Sequence, residues 1–227
     1  MTESHQRERV RFDVSPDGSV EGDDGADGHL AATLRYTCRM GSQIGGLLEL
    51  GELERVSTLS NLAVMARVSG TSPQLSIKAE VELQGTLRPD PVTFAALGVQ
   101  EAIDRSLRRV TIDLSSDWAA LITDESRLVG AVHDESMGRG VPESVFEVGV
   151  RALAILGALD ESLRETAVRL DFVRGSLLVA AIGGHALYTH ADKFDVSEVV
   201  RTIAAAQGLL AGADLARADL VTVSRRV

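Results

Sequence analysis

Two spacings of apolar residues alternate along this chain, and each change of spacing marks the edge of an element. Over residues 10–20 (VRFDVSPDGSV) apolar and polar positions alternate, Pro16-Asp17-Gly18 interrupts, and a short apolar run resumes. That pattern predicts a strand, a turn and a second strand. Over 29–50 the spacing becomes three and four, with Leu30, Leu34, Cys38, Gly41, Ile44, Gly45 and Leu48 on one stripe, which predicts a long amphipathic helix. Strands are then predicted at 54–59, 62–70 and 75–83, followed by a connection at 86–91 and a closing helix at 92–110.

The same succession returns in the second half. Residues 119–132 (AALITDESRLVGAV) repeat the hairpin, and 142–159 repeat the long helix, with Pro142 suited to its first turn and Val145, Phe146, Gly149, Ala152, Leu153, Leu156 and Leu159 along the stripe. Strands at 166–172, 176–184 and 185–190 and a helix at 196–210 complete it. Laid on each other, the halves pair Val20 with Val129, Leu34 with Phe146, Arg39 with Arg151, Ala66 with Ala180 and Gly70 with Gly184. The order is β-β-α-β-β-β-α, twice, an α+β layer arrangement in which each unit is a five-stranded antiparallel sheet with a long helix and a closing helix. The units are placed at 8–112 and 113–212, and 213–227 is a tail. Sheets this small leave an edge to cover, so the units are expected to pair with each other or with another copy.

Composition narrows the functional classes. At 227 residues, 44% hydrophobic and 25% charged, the chain has the balance of a folded globular protein. A net charge of -10 speaks against nucleic acid as a partner, because phosphate binding relies on clustered cations. No apolar run is long enough to cross a membrane, and Met1 to Arg9 show no apolar core after a basic start; the expectation is a cytoplasmic chain without membrane insertion. Cys38 stands alone, which leaves no disulfide within the chain and no thiolate cluster for zinc. The acidic run from Asp13 to Asp27 reads as a solvated turn region, since Asp24 stands where a calcium loop needs its twelfth-position Glu.

A search for catalytic machinery gives no catalytic, cofactor-binding or metal residues. The chain holds no P-loop, GxGxxG, GxSxG or HExxH pattern, and Gly41-Ser-Gln-Ile-Gly-Gly46 lies within a helical stripe rather than between a strand and a helix. His185 and His190 are five apart on one strand and point to opposite faces, so they are read as ordinary surface residues, with His190 and Asp192 sharing a face. Gly41, Gly45, Gly149 and Ala152 either let two helices approach closely or fit each helix onto its own sheet. Arg39 and Arg151, at matched positions of the two long helices, are the candidate partner-binding residues, with a merely solvated role as the alternative.

The second half, WAALITDESRLVGAV from Trp118, then RALAILGAL from Arg151, then VRLDFVRGSLLVAAIGGHALYTHAD from Val168 with its Gly183-Gly184 turn, resembles the roadblock family of dynein light chains and bacterial GTPase regulators. The resemblance implies a profilin-like layer fold, no enzymatic activity, no cofactor, and a scaffold or regulator that pairs through the long helix and sheet edge. It implies as partner a Ras-like small GTPase or another protein, with the tandem acting as an internal pseudo-dimer or self-associating. A small-ligand-sensing module of mixed α/β fold is the alternative, disfavoured by sheet and helix faces that are filled with apolar residues.

Overall fold

The computed structural model describes residues 9–23, 28–59, 62–83, 97–137, 140–160 and 167–221. Its elements are β1 (Arg9–Val14), β2 (Val20–Gly22), α1 (Gly28–Leu47), β3 (Leu53–Leu59), β4 (Leu62–Ser69), β5 (Ser76–Leu83), α2 (Val99–Asp113), β6 (Trp118–Ile122), β7 (Leu128–His133), α3 (Val145–Asp160), β8 (Ala167–Phe172), β9 (Gly175–Ile182), β10 (His185–Ala191) and α4 (Val196–Leu210). Nearly every predicted element is present within a few residues of its expected ends. The connection expected at 86–91 and the first residues of the expected closing helix lie outside the described residues.

All ten strands among the described residues join one antiparallel sheet in the order β2-β1-β5-β4-β3-β8-β9-β10-β6-β7. Where two five-stranded sheets were expected there is a single one, because β3 pairs with β8 from Leu53 opposite Phe172 to Leu59 opposite Ala167. An edge strand leaves a row of backbone donors and acceptors open, and here two such rows satisfy each other. Two apolar cores lie on opposite faces. One runs the whole width of the sheet beneath α1 and α3, joining Phe12, Val56, Val64 and Ile77 to Ile122, Leu170, Leu177 and Tyr188. The other is formed by α2 and α4 over Ala119, Leu121, Leu178, Ala180 and Leu187. Alternate residues of β6 and β9 thus serve different cores, as the pleat of a strand requires.

Local chemistry sets the ends. After Leu47 the backbone of α1 turns over Glu49 and Gly51, both at positive φ (55° and 85°), and Leu50 N–H returns to the Gly45 carbonyl at 2.9 Å, closing the orphan carbonyls of the last turn. Asp195 caps α4 by accepting from the backbone N–H groups of Ser197 and Glu198. Gly183-Gly184 makes the two-residue link between paired Ile182 and His185.

Three further expectations change. The helix predicted to close the first half is Val99–Asp113, and it packs on β6, β7 and α4 of the second half instead. Gly130 of β7 permits the approach: a Cβ there would lie 2.5 Å from Ile103 and 2.6 Å from Leu107. The matching of the long helices shifts by one residue. Leu34, Thr37, Cys38, Gly41, Ile44 and Gly45 are buried in α1, and Val145, Val148, Gly149, Ala152, Ile155 and Leu156 are buried in α3 at the same spacing. Burial therefore pairs Leu34 with Val145, not with the exposed Phe146, and sets Arg39 beside Val150 rather than Arg151. His190, read as a surface residue, is 2% exposed: its Nδ1 lies 2.8 Å from Asp117 Oδ2, and its ring stacks on Trp118 at 6.4 Å. Burying a polar ring is tolerated when it has a partner, and here that partner is 73 residues away in sequence.

Candidate functional site

The outward face of the α1–α3 pair is the candidate partner-docking surface. The two helices run antiparallel and are tied at two points: Ser144 Oγ donates to the Leu47 carbonyl at 3.0 Å, and Arg151 Nε donates to Gln43 Oε1 at 3.0 Å. Arg151 also donates from Nη1 to the Glu147 carbonyl at 2.9 Å, so its guanidinium is spent within the pair. Arg39 differs. Its guanidinium carbon lies 5.4 Å from the ring centroid of Tyr36, a cation–π geometry one turn along α1, and its charge faces outward. The two candidate arginines thus stand on one helix pair in different roles, Arg151 between the helices and Arg39 on their surface.

Apolar side chains are also turned out. Phe146 is 43% exposed and Val150 37% exposed, one turn apart on α3. Single exposed apolar residues are ordinary, whereas a neighbouring pair beside half-buried Leu153 makes the start of a contact patch. The platform beneath is tied to the sheet by side chains. Tyr188 OH donates to the Val145 carbonyl at 2.8 Å and Trp118 meets the Tyr188 ring edge-on at 5.9 Å. Burial, with the Glu147 charge in second place, pushes the Tyr188 phenol far above its ordinary value, so it stays a donor. Burial likewise pushes the Cys38 thiol up to about 12, which removes it as a nucleophile in the folded chain.

The small residues resolve in favour of the sheet. A Cβ at Gly41 would meet Leu53 at 3.0 Å and Leu170 at 3.6 Å; one at Gly45 would meet Phe172 at 2.9 Å; one at Gly149 would meet the Tyr188 hydroxyl at 2.5 Å. Each glycine lets its helix settle onto the strands below. Among the described residues no group of three or more His, Cys, Asp or Glu could hold a metal ion, and no described helix is long and apolar enough to cross a membrane. His185 accepts at Nδ1 from the Asp124 backbone N–H at 3.1 Å, so the two strand histidines each serve a local bond.

Sequence reasoning passed over one feature. The first half of α1, the β1–β2 turn and the β4–β5 turn enclose a groove of about 440 Å³ bearing Arg35, Tyr36 and Arg39. Its walls come from three separated stretches of sequence, and periodicity within any one of them carries no sign of it.

No family model matches the chain, and no curated protein does. Among solved structures, the gliding protein MglB from Thermus thermophilus is similar at a TM-score of 0.40 and 17% identity, over 55% of this chain and 96% of that one. A structure described as MglB with a tetrameric arrangement is similar to the same degree, with a TM-score of 0.40, 17% identity, and 55% and 95% coverage. Likeness at that level transfers neither residues nor roles.

Proposed function

We propose that the chain is a tandem of two roadblock-type units joined as an internal pseudo-dimer, a non-enzymatic cytoplasmic scaffold or regulator whose α1–α3 face docks a protein partner, a Ras-like small GTPase by preference. The observation that carries this reading is the strand order. From the outer edge inward the first half runs β2-β1-β5-β4-β3 and the second β7-β6-β10-β9-β8, the same serial order, with the two inner strands paired. Two units that meet by one strand edge and one helix each present a composite face that neither has alone, and Phe146, Val150 and Arg39 stand on it. The choice of a GTPase rests on the resemblance of the second half to the roadblock family. The packing of α2 on β6, β7 and α4 favours assigning this helix to the second unit, which moves the division from 112 to a point before Leu97.

The test is light scattering after size exclusion on the full chain, alone and mixed with the Ras-like GTPases of the same genome carrying GDP or a GTP analogue. A monomeric free chain and a nucleotide-dependent complex that Phe146→Asp abolishes are expected. No complex in either nucleotide state, or one indifferent to Phe146→Asp, overturns the docking reading.

A further inference from the structure

We propose that the groove bounded by α1, the β1–β2 turn and the β4–β5 turn binds a small organic anion, a carboxylate or phosphate head on an apolar body. This goes beyond the docking reading; the two share Arg39, and the groove stands on its own lining rather than on that reading. The volume of about 440 Å³ falls within the range of small-molecule sites, roughly 300–1,000 Å³. Val14, Val20, Ala31, Ala32, Pro73 and Leu75 supply apolar wall; Arg35, Tyr36 and Arg39 supply the polar end. No acidic side chain lines it among the described residues.

The charge arrangement is what points to an anion. The chain carries a net charge of -10, and several of its other arginines find carboxylates, Arg9 and Arg11 on Glu80, Arg109 on Asp113, Arg201 on Glu198, while Arg127 and Arg151 find backbone carbonyls. Arg35 and Arg39 have no such pairing among the described residues. Asp17, an acidic neighbour of Arg35, makes no hydrogen bond to it and is turned to Ser19, accepting from its backbone N–H at 3.0 Å and its hydroxyl at 2.8 Å; those bonds, with a smaller contribution from the Arg35 charge, hold its carboxyl below the ordinary value. The two guanidinium groups sit at i and i+4 on one helix, a spacing at which like charges repel. Both are held in place without a carboxylate, Arg35 by donating from Nη2 to the Pro16 carbonyl and Arg39 by lying over Tyr36. An anion bridging them would offset the repulsion and use planar donors already ordered for bidentate contact. Its apolar body would displace water from Val14, Val20 and Leu75.

The experiment is calorimetric titration of the full chain with naphthyl phosphate and with octanoate, against naphthol and inorganic phosphate as uncharged and bodiless controls. Saturable one-to-one binding of at least one of the two amphipathic anions is expected, weakened at least tenfold in Arg39→Gln and in Ala32→Leu, which fills the groove without touching its charges, and the tighter of the two names the head group. Both controls should bind at least tenfold more weakly. Phe146→Asp should leave this binding unchanged, which separates it from the docking face. The proposal is overturned if neither anion saturates, if both variants bind within twofold of the parent while retaining its circular dichroism spectrum, or if naphthol binds as well as naphthyl phosphate.

Discussion

The two halves of the sheet are covered differently. Strands β6 to β10 lie between α3 on one face and α2 with α4 on the other, and β6 is buried at all five positions. Among the described residues strands β1, β4 and β5 have a helix on one face only, and their burial alternates: Phe12 and Val14 point inward while Arg11 and Asp13 point out. The open face is dressed with charge, and it is ordered charge. Arg9 stands opposite Glu82, Arg11 opposite Glu80 and Asp13 opposite Lys78, with ion-pair distances of 3.6, 3.2 and 3.5 Å. One sheet thus follows two rules of composition: continuous apolar runs where both faces are covered, and alternation where one face meets water.

Substitutions on matched faces should break this symmetry by very unequal amounts. Leu178→Asp, fully buried beneath α2 and α4, places an unpaired charge in the core and should cost at least about 4 kcal/mol. Met65→Lys, at a position 49% exposed on the open face and opposite Glu80, should stay within about 0.5 kcal/mol. Urea unfolding followed by circular dichroism measures both, and comparable losses would show that the open face is covered after all. Leu107→Ala should cost about 2–5 kcal/mol, because α2 seats it against β7; a loss below about 1 kcal/mol would mean that α2 is not docked there.

Two glycines of the second half should respond with opposite signs. Gly175 has φ 98°, and a Cβ there would lie 2.6 Å from His190 Nε2, so Gly175→Ala should destabilise by more than about 1 kcal/mol. Gly157, exposed within α3 with nothing near its missing Cβ, should gain about 0.5–1 kcal/mol as alanine. Urea midpoints sharing the same sign would refute the assigned contacts.

Alkaline titration tests the core shared by both halves. Cys38 has a folded pKa raised to about 12 against 9.0 in the unfolded chain, so its contribution is constant below pH 9 and falls as pH rises beyond it. Tyr188 adds a fall of the same sign above pH 10. Stability should therefore drop between pH 9 and 10, and Cys38→Ala should flatten that segment; an unchanged slope would exclude the thiol. A small effect also belongs to the open face, where an Arg11–Glu80 double-mutant cycle should yield about 0.2–1 kcal/mol, shrinking as salt is added.

Element order was legible in the sequence because spacing encodes which side of an element is apolar. LAVMARVSG alternates and SLLVAAIGG does not, and that difference already separates β4 from β9. Placement was less legible. The stripe of α2 shows an apolar side at Ile103, Leu107 and Val110 without stating which strands it covers, and its partners in β6 and β7 follow it in sequence whereas its expected partners preceded it. The one-residue slip between the helices set identical letters against each other, Arg39 with Arg151, Gly45 with Gly157 and Leu47 with Leu159, although only the buried positions carry the register. His190 gave no signal of burial, since Asp117, its partner, lies far away in sequence and a histidine on a strand suits either face.

Among the described residues the β3–β8 pairing leaves the sheet with two free ends. One is β2, three residues long. The other, β7, is crossed by the chain near its C-terminal end: Val221 N–H donates to the Leu128 carbonyl at 3.0 Å, and Arg127 at the head of β7 donates to the carbonyls of Ala216 and Ala218 at 2.6 and 3.0 Å. A wide, flat-faced sheet is the natural template for strand-by-strand growth into fibres. Here growth meets a stub on one side and a latch on the other, so the same architecture that gathers ten strands into one surface offers an eleventh from another molecule little edge to pair with.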